Sequence, residues 1–288
     1  MDKNITLVLS GGGARGIAHI GVIEEIESRG YMINSIAGTS MGALVGGVYA
    51  MGKLDEFKNW LYKLDKRKGL RLMDFTFNSK GLIKGDRILN IIKNFVSEKK
   101  IEDLEIEYTA TAFDLTYQKE VVFSTGNLYD AIRASIAIPT ILTPVIAGNS
   151  ILVDGGVINN IPINNAVRTE NDFLIAVNVN ADTEKDWSFL PVSKGGRGKC
   201  LGQTFDQQST LWGGNLQTPP HNISYFHLID NTIAFVTNRL SQVIIQGNSP
   251  DLLIEISRKS AKTFDFYKID KLIEIGRFAA KKKLDSIQ

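Results

Sequence analysis

The stretch Ile33-Asn34-Ser35-Ile36-Ala37-Gly38-Thr39-Ser40-Met41-Gly42 constrains this chain most, because it reads as a short apolar strand running through Gly-x-Ser-x-Gly into a helix. The apolar run ending at Ala37 marks the strand, and Ala43, Leu44, Val45 and Val48 mark the helix. A serine at a strand-to-helix turn sits on strained backbone that lifts its hydroxyl off the surface, while Gly38 and Gly42 keep the crowded neighbours free of Cβ atoms. The following helix points its amide dipole at the serine. Ser40 is therefore the candidate nucleophile. In a chain with 26 glycines the pentapeptide alone is a weak signal. Its weight comes from its context and from two further elements.

The first is a glycine loop. Ile5 to Ser10 is a buried-strand run, followed by Gly11-Gly12-Gly13-Ala14-Arg15-Gly16 and a helical pattern through Ile17, Ile20, Ile23 and Ile26 to Gly30. A glycine loop opening onto a helix presents unbonded backbone N–H groups, which suits a phosphate or an oxyanion. Gly11, Gly13 and Gly16 satisfy the Gly-x-Gly-x-x-Gly dinucleotide fingerprint, but that fold needs an acidic residue at the end of the second strand to hold the ribose. Here that strand ends in the candidate nucleophile, and no Gly-Lys-Ser/Thr closes the loop as in a nucleotide-binding P-loop. The oxyanion fits better.

The second is Asp154-Gly155-Gly156. Tyr108 to Phe113 and Glu120 to Ser124 read as strands joined by a turn, and Leu128 to Ala137 as a helix stopped before Pro139. Val145 to Ala147 and Ile151 to Val153 then flank Gly148-Asn149 as a hairpin whose second strand delivers Asp154. Acyl transfer to serine requires a base near Oγ and donors for the oxyanion. Of the three histidines, His19 lies on the helix opening after the glycine loop and reads as structural, and His221 and His227 lie in a late segment without evident catalytic context, whereas Asp154 lies at a strand end where a carboxylate can approach a hydroxyl. A Ser40–Asp154 pair then replaces a triad, and burial must raise the basicity of a group whose ordinary pKa is about 3.9. The amides of Gly11, Gly12 and Gly13 are the candidate oxyanion donors, and Arg15 either assists electrostatically or braces the loop.

Gly-Gly-Gly-Ala-Arg-Gly, then Gly-Thr-Ser-Met-Gly, then Asp-Gly-Gly, in that order, resemble the patatin-like phospholipase family. The spans Leu7 to Gly21 and Ser35 to Gly46 are similar to bacterial members, including Ala18-His19-Ile20-Gly21-Val22, as is Ala134-Ser135 with Pro139, a stretch that helps shape the site in the family. The resemblance is strong from Ile5 to about Asn180 and returns at Phe264-Asp265-Phe266. It implies a three-layer α/β/α fold with a mainly parallel central sheet. It also implies Ser40 as nucleophile, Asp154 as base, and Gly11, Gly12, Gly13, Arg15 and Gly16 as the oxyanion-hole loop. The implied activity is hydrolysis of lipid acyl esters with no metal and no cofactor.

The remaining features set bounds. A length of 288 residues accommodates one α/β domain with excursions, and a net charge of +2 gives no case for nucleic acid as a partner. Cys200 is the single cysteine, so no intrachain disulfide can form and a reducing compartment is compatible. The N-terminus carries no long apolar secretory segment and no run reaches the ~20 residues that cross a bilayer, so a cytoplasmic protein with at most peripheral contact at the inner membrane face is expected. Leu54 to Lys100 reads as a basic helical excursion, with Phe57, Trp60, Leu61 and Leu64 on one face and Lys66-Arg67-Lys68 after them; part of it is a candidate cover for the site. Asp182 to His221 lacks periodicity and reads as a flexible cover, followed by helical, strand and terminal helical patterns. The competing function is a catalytically silent lipid-binding or scaffold protein on the same fold, against which the intact serine, aspartate and glycine loop stand. Oligomeric state is not written in the chain.

Overall fold

The structure, a computed structural model, describes residues 4–64, 85–96, 99–139, 141–184 and 225–287. Its frame is an eight-stranded mixed sheet built from β1 (Asn4–Leu9), β2 (Met32–Thr39), β3 (Glu107–Asp114), β4 (Lys119–Phe123), β5 (Val145–Ala147), β6 (Ser150–Asp154), β7 (Phe173–Ala181) and β8 (Leu252–Ser257). The order is β5-β6-β3-β2-β1-β7-β8, with β4 also paired to β3. The five strands from β3 to β8 run parallel, and β4, β5 and β6 add the antiparallel edge.

The helices are α1 (Ala18–Ser28), α2 (Met41–Ala50), α3 (Leu54–Tyr62), α4 (Asp86–Val96), α5 (Leu128–Ser135), α6 (Tyr225–Asn248) and α7 (Ile269–Asp285). The period of two along the strands sorts them into layers. Ile5, Leu7 and Leu9 of β1 and Ile175, Val177 and Val179 of β7 face a large core shared with α1, α2, α4, α5 and α7. Val8, Leu174 and Ala176 face the other way, onto Ile161, Ile163 and the α6 residues Ile244 and Ile245. Both faces of the central strands are therefore apolar and covered, which gives the three-layer α/β/α arrangement and explains why their sequences run apolar without alternation.

One departure from the sequence reading concerns a helix. The glycine loop enters a 3-10 turn, Gly13–Ile17, before α1 begins at Ala18. The excursion expected over 54–100 contains α3 and α4; its Lys66-Arg67-Lys68 lies outside the described residues, as do Cys200, His221 and positions 185–221 of the expected cover. The apolar strand Phe173–Ala181, not singled out beforehand, pairs with β1 and β8 in the middle of the sheet.

Candidate active site

Register brings Ser40 and Asp154 together. β2 runs parallel to β3 and ends with Thr39 opposite Thr111. β6 runs antiparallel to β3 and ends with Asp154 opposite Ala112. β4 occupies the far edge of β3 over Ala110 to Asp114, so β2 and β6 must share the near edge and meet there head to head. Consecutive positions of one strand thus hold the two strand ends, 114 residues apart in sequence.

The Ser40 hydroxyl donates to Asp154 Oδ2 at 2.5 Å, and both residues are 5% exposed. Ser40 has φ 55 and ψ −122, the strained conformation of a residue turned abruptly from strand to helix. Neighbours make the turn affordable only with glycine at position 42, where a Cβ would lie 2.1 Å from the Leu9 carbonyl oxygen. The turn is also pinned from below: the Ser40 amide donates to Ser135 Oγ at 2.9 Å, and the Ser135 hydroxyl donates to the Thr111 carbonyl at 2.6 Å. Asp154 Oδ1 accepts from the Gly156 amide at 2.7 Å, so each carboxylate oxygen has one donor. Burial outweighs those two donors and raises the Asp154 pKa to about 6.

The glycine loop lies beside this pair. The Gly11 amide donates to the Asn160 carbonyl at 2.9 Å, and the Ala14 amide to the Thr263 carbonyl at 2.9 Å. Gly11, expected to present its N–H to an oxyanion, is therefore already bonded. Among the described residues no acceptor meets the amides of Gly12 and Gly13. Gly16 serves packing, since a Cβ there would fall 2.3 Å from Met41 Cγ. Of the two roles considered for Arg15, the geometry supports bracing: its guanidinium donates to Asn180 Oδ1 from Nη2 at 2.7 Å and Nε at 3.1 Å, and from Nη1 to the Ala261 carbonyl at 3.2 Å. His19 is fully buried with Nε2 at 2.8 Å from the Ser10 carbonyl, and burial lowers its pKa to about 4.

Ser40 opens onto an apolar cleft of about 1050 Å³, its mouth included. The walls are Phe57, Trp60 and Leu61 of α3, Ile88 and Ile92 of α4, then Ile136, Ile138, Ile141 and Leu142, and Thr263, Phe264 and Phe266. Phe57 stacks on Trp60 at 5.8 Å between centroids and meets Phe95 edge-on at 5.2 Å, which stiffens that wall. The aromatic helix read from the sequence as a candidate cover is thus a side of the cleft. Among the described residues no group of three or more His, Cys, Asp or Glu side chains is disposed to hold a metal.

Sequence reading missed Asn160 and Asn180. Asn178 and Asn180 lie two apart in the buried strand Phe173–Ala181, where unpaired amides are costly, and that pattern was the available signal.

A serine at a strand-to-helix turn, a buried aspartate bonded to it and a glycine loop beside both define a class of α/β protein, and comparison with known proteins identifies it. Residues 7–167 match the family model of patatin-like phospholipases, and the chain belongs to that family. It is 32% identical to an uncharacterised NTE family protein of Mycobacterium tuberculosis, over 100% of this chain and 93% of that one. It is 31% identical to Lysophospholipase NTE1 of Kluyveromyces lactis over 61% of this chain, and 27% identical to mouse patatin-like phospholipase domain-containing protein 6 over 95% of it. It spans 12% and 20% of those two longer proteins.

Proposed function

We infer that this protein is a serine hydrolase of lipid acyl esters, of the phospholipase A or lysophospholipase type, working through a Ser40–Asp154 dyad. The observation that carries the reading is the 2.5 Å hydrogen bond between the two side chains at the head of an apolar cleft. Ser40 Oγ attacks the ester carbonyl as its proton passes to Asp154 Oδ2, and the carbonyl oxygen becomes an oxyanion. The amides of Gly12 and Gly13, which meet no acceptor among the described residues, receive that charge, each such donor being typically worth about 2.7–4 kcal/mol. Asp154 returns the proton to the departing alcohol, leaving an acyl-enzyme. It then takes a proton from the water that attacks the acyl carbonyl and passes that proton to Ser40 Oγ as the fatty acid leaves, which restores both the hydroxyl and the carboxylate.

The cleft supplies the substrate class. Its lining of Leu, Ile, Phe and Trp side chains offers an alkyl chain a dry path to Ser40, with about 0.8 kcal/mol gained per methylene withdrawn from water. Phe264 lines the cleft yet is 41% exposed, and exposed Lys262 and Tyr267 follow or precede it closely in the chain, an aromatic and basic rim suited to a lipid surface. Among the described residues no helix is long and apolar enough to cross a membrane, and the reading places the protein in the cytoplasm with peripheral contact at the inner membrane face.

The test is intact-mass analysis after incubation with a fluorophosphonate. One adduct is expected, mapping to Ser40 and absent from Ser40→Ala, with Asp154→Asn labelled far more slowly. Full turnover of a long-chain ester by folded Ser40→Ala would remove the mechanism, and an unlabelled, inactive wild type would favour a silent binding protein.

A further inference from the structure

We propose that Asn180, near the end of β7, is a positioning residue for the oxyanion loop: its side-chain amide fixes the Gly11–Gly12 peptide so that the Gly12 N–H faces the charge forming at Ser40. The proposal rests on the hydrolase reading above. Asn180 is 8% exposed, and its Nδ2 donates to the Gly11 carbonyl at 2.6 Å. Arg15 has only donors, and both Nε and Nη2 point at Asn180 Oδ1, at 3.1 and 2.7 Å. The guanidinium therefore settles which end of the amide is oxygen and turns the NH₂ toward Gly11.

The consequence follows from peptide geometry. In a planar trans peptide the C=O of one residue and the N–H of the next point in opposite directions. With the Gly11 carbonyl drawn to Asn180, the Gly12 amide is directed away from it. Gly11 is itself wedged against the nucleophile, since a Cβ on it would lie 3.0 Å from Ser40 Cβ. The preceding peptide is held too, its Ser10 carbonyl 2.8 Å from His19 Nε2 and its Gly11 amide on the Asn160 carbonyl at 2.9 Å. Every hydrogen-bonding group from the Ser10 carbonyl to the Gly11 carbonyl is thus occupied on the protein side, and the next one, the Gly12 amide, is without an acceptor among the described residues. A loop of three glycines has the backbone freedom to flip this peptide, so its orientation has to come from such partners.

The test is Asn180→Asp, which keeps shape and the acceptor for Arg15 but sets a carboxylate oxygen against the Gly11 carbonyl. With a long-chain p-nitrophenyl ester, kcat should fall by about 10²–10³-fold, the loss of one oxyanion donor, while KM stays within about threefold. Arg15→Met, which leaves every atom of Asn180 in place but frees its amide to turn, should lower kcat by about tenfold or more at similar KM. It decides the matter if the aspartate variant does not fold. A folded Asn180→Asp with kcat within about threefold of wild type overturns the proposal, as does a kcat loss matched by a KM rise and a lowered Tm, the pattern of general loosening. Hydrogen exchange over residues 10–16 separates this failure from that of the hydrolase reading. If the wild type shows no Ser40-dependent turnover, that reading fails, and positioning is still decided: faster loop exchange in Asn180→Asp with β7 unchanged supports it, and unchanged loop exchange refutes it.

Discussion

Asp154 is held between two demands. To act as the base of the proposed mechanism it must ionise, and burial makes ionisation costly, which is why its pKa rises to about 6. Activity should accordingly fall tenfold per pH unit as pH drops below about 6, measured as kcat/KM against pH. His19 titrates at about 4 and is neutral across that range, so the limb reports Asp154. Stability runs the other way. A carboxyl whose folded pKa is raised contributes stability that is complete below its unfolded value, near 3.8, and lost as pH rises through about 6. Asp154→Asn removes the buried charge while keeping an acceptor for Gly156, and should raise the unfolding free energy above pH 6 by as much as about 3 kcal/mol, seen as a higher Tm, with the advantage vanishing below pH 4. Thermal unfolding of both proteins across pH 3.5–8 checks this. An inactive variant more stable than wild type is the signature of a site built against folding economy.

At the scale of elements, α1 and α7 touch backbone to backbone. A Cβ on Gly21 would lie 1.9 Å from the Ile273 carbonyl oxygen, and one on Gly276 1.9 Å from that of Ala18. Two glycines at one crossing allow α7 to press α1 onto the sheet, and α1 carries His19 beneath the glycine loop. Gly276→Ala gains helix propensity but must force the helices apart. A net destabilisation of about 1–3 kcal/mol is expected, read from chemical denaturation, and an unchanged midpoint would show that the crossing yields easily. The second device is the head-to-head meeting of β2 and β6 along one edge of β3. It converts two strand ends into a 2.5 Å contact without any loop having to be ordered for the purpose.

At the scale of the whole molecule, the cleft is assembled from α3, α4, the segment after α5 and the segment after β8, so no single stretch of chain contains it. On the proposed hydrolase reading, chain-length selectivity is therefore a tertiary property. Ile88→Trp, a half-buried lining position on α4, should shift the preferred acyl chain toward shorter esters with short-chain kcat/KM retained. A panel of p-nitrophenyl esters of increasing length tests it, and an unaltered preference would mean that the acyl chain does not lie along α4.

The local geometry of the candidate site was legible in the sequence because it is written in backbone requirements. Gly42 is needed where the Leu9 carbonyl leaves no room, Ser40 stands where an apolar strand gives way to a helix, and Asp154 closes a short hairpin strand. Strand periodicity and turn residues report such constraints within a few positions of where they act. The tertiary structure alone decided which partners those groups have. Whether the Gly11 amide is open or taken depends on Asn160, and the brace on the loop depends on Asn180, 169 positions away. An asparagine in a strand reveals that it needs a partner but not which one, since hydrogen bonds are fixed by three-dimensional register. The burial that sets the Asp154 pKa is likewise a sum over all the elements packed around it.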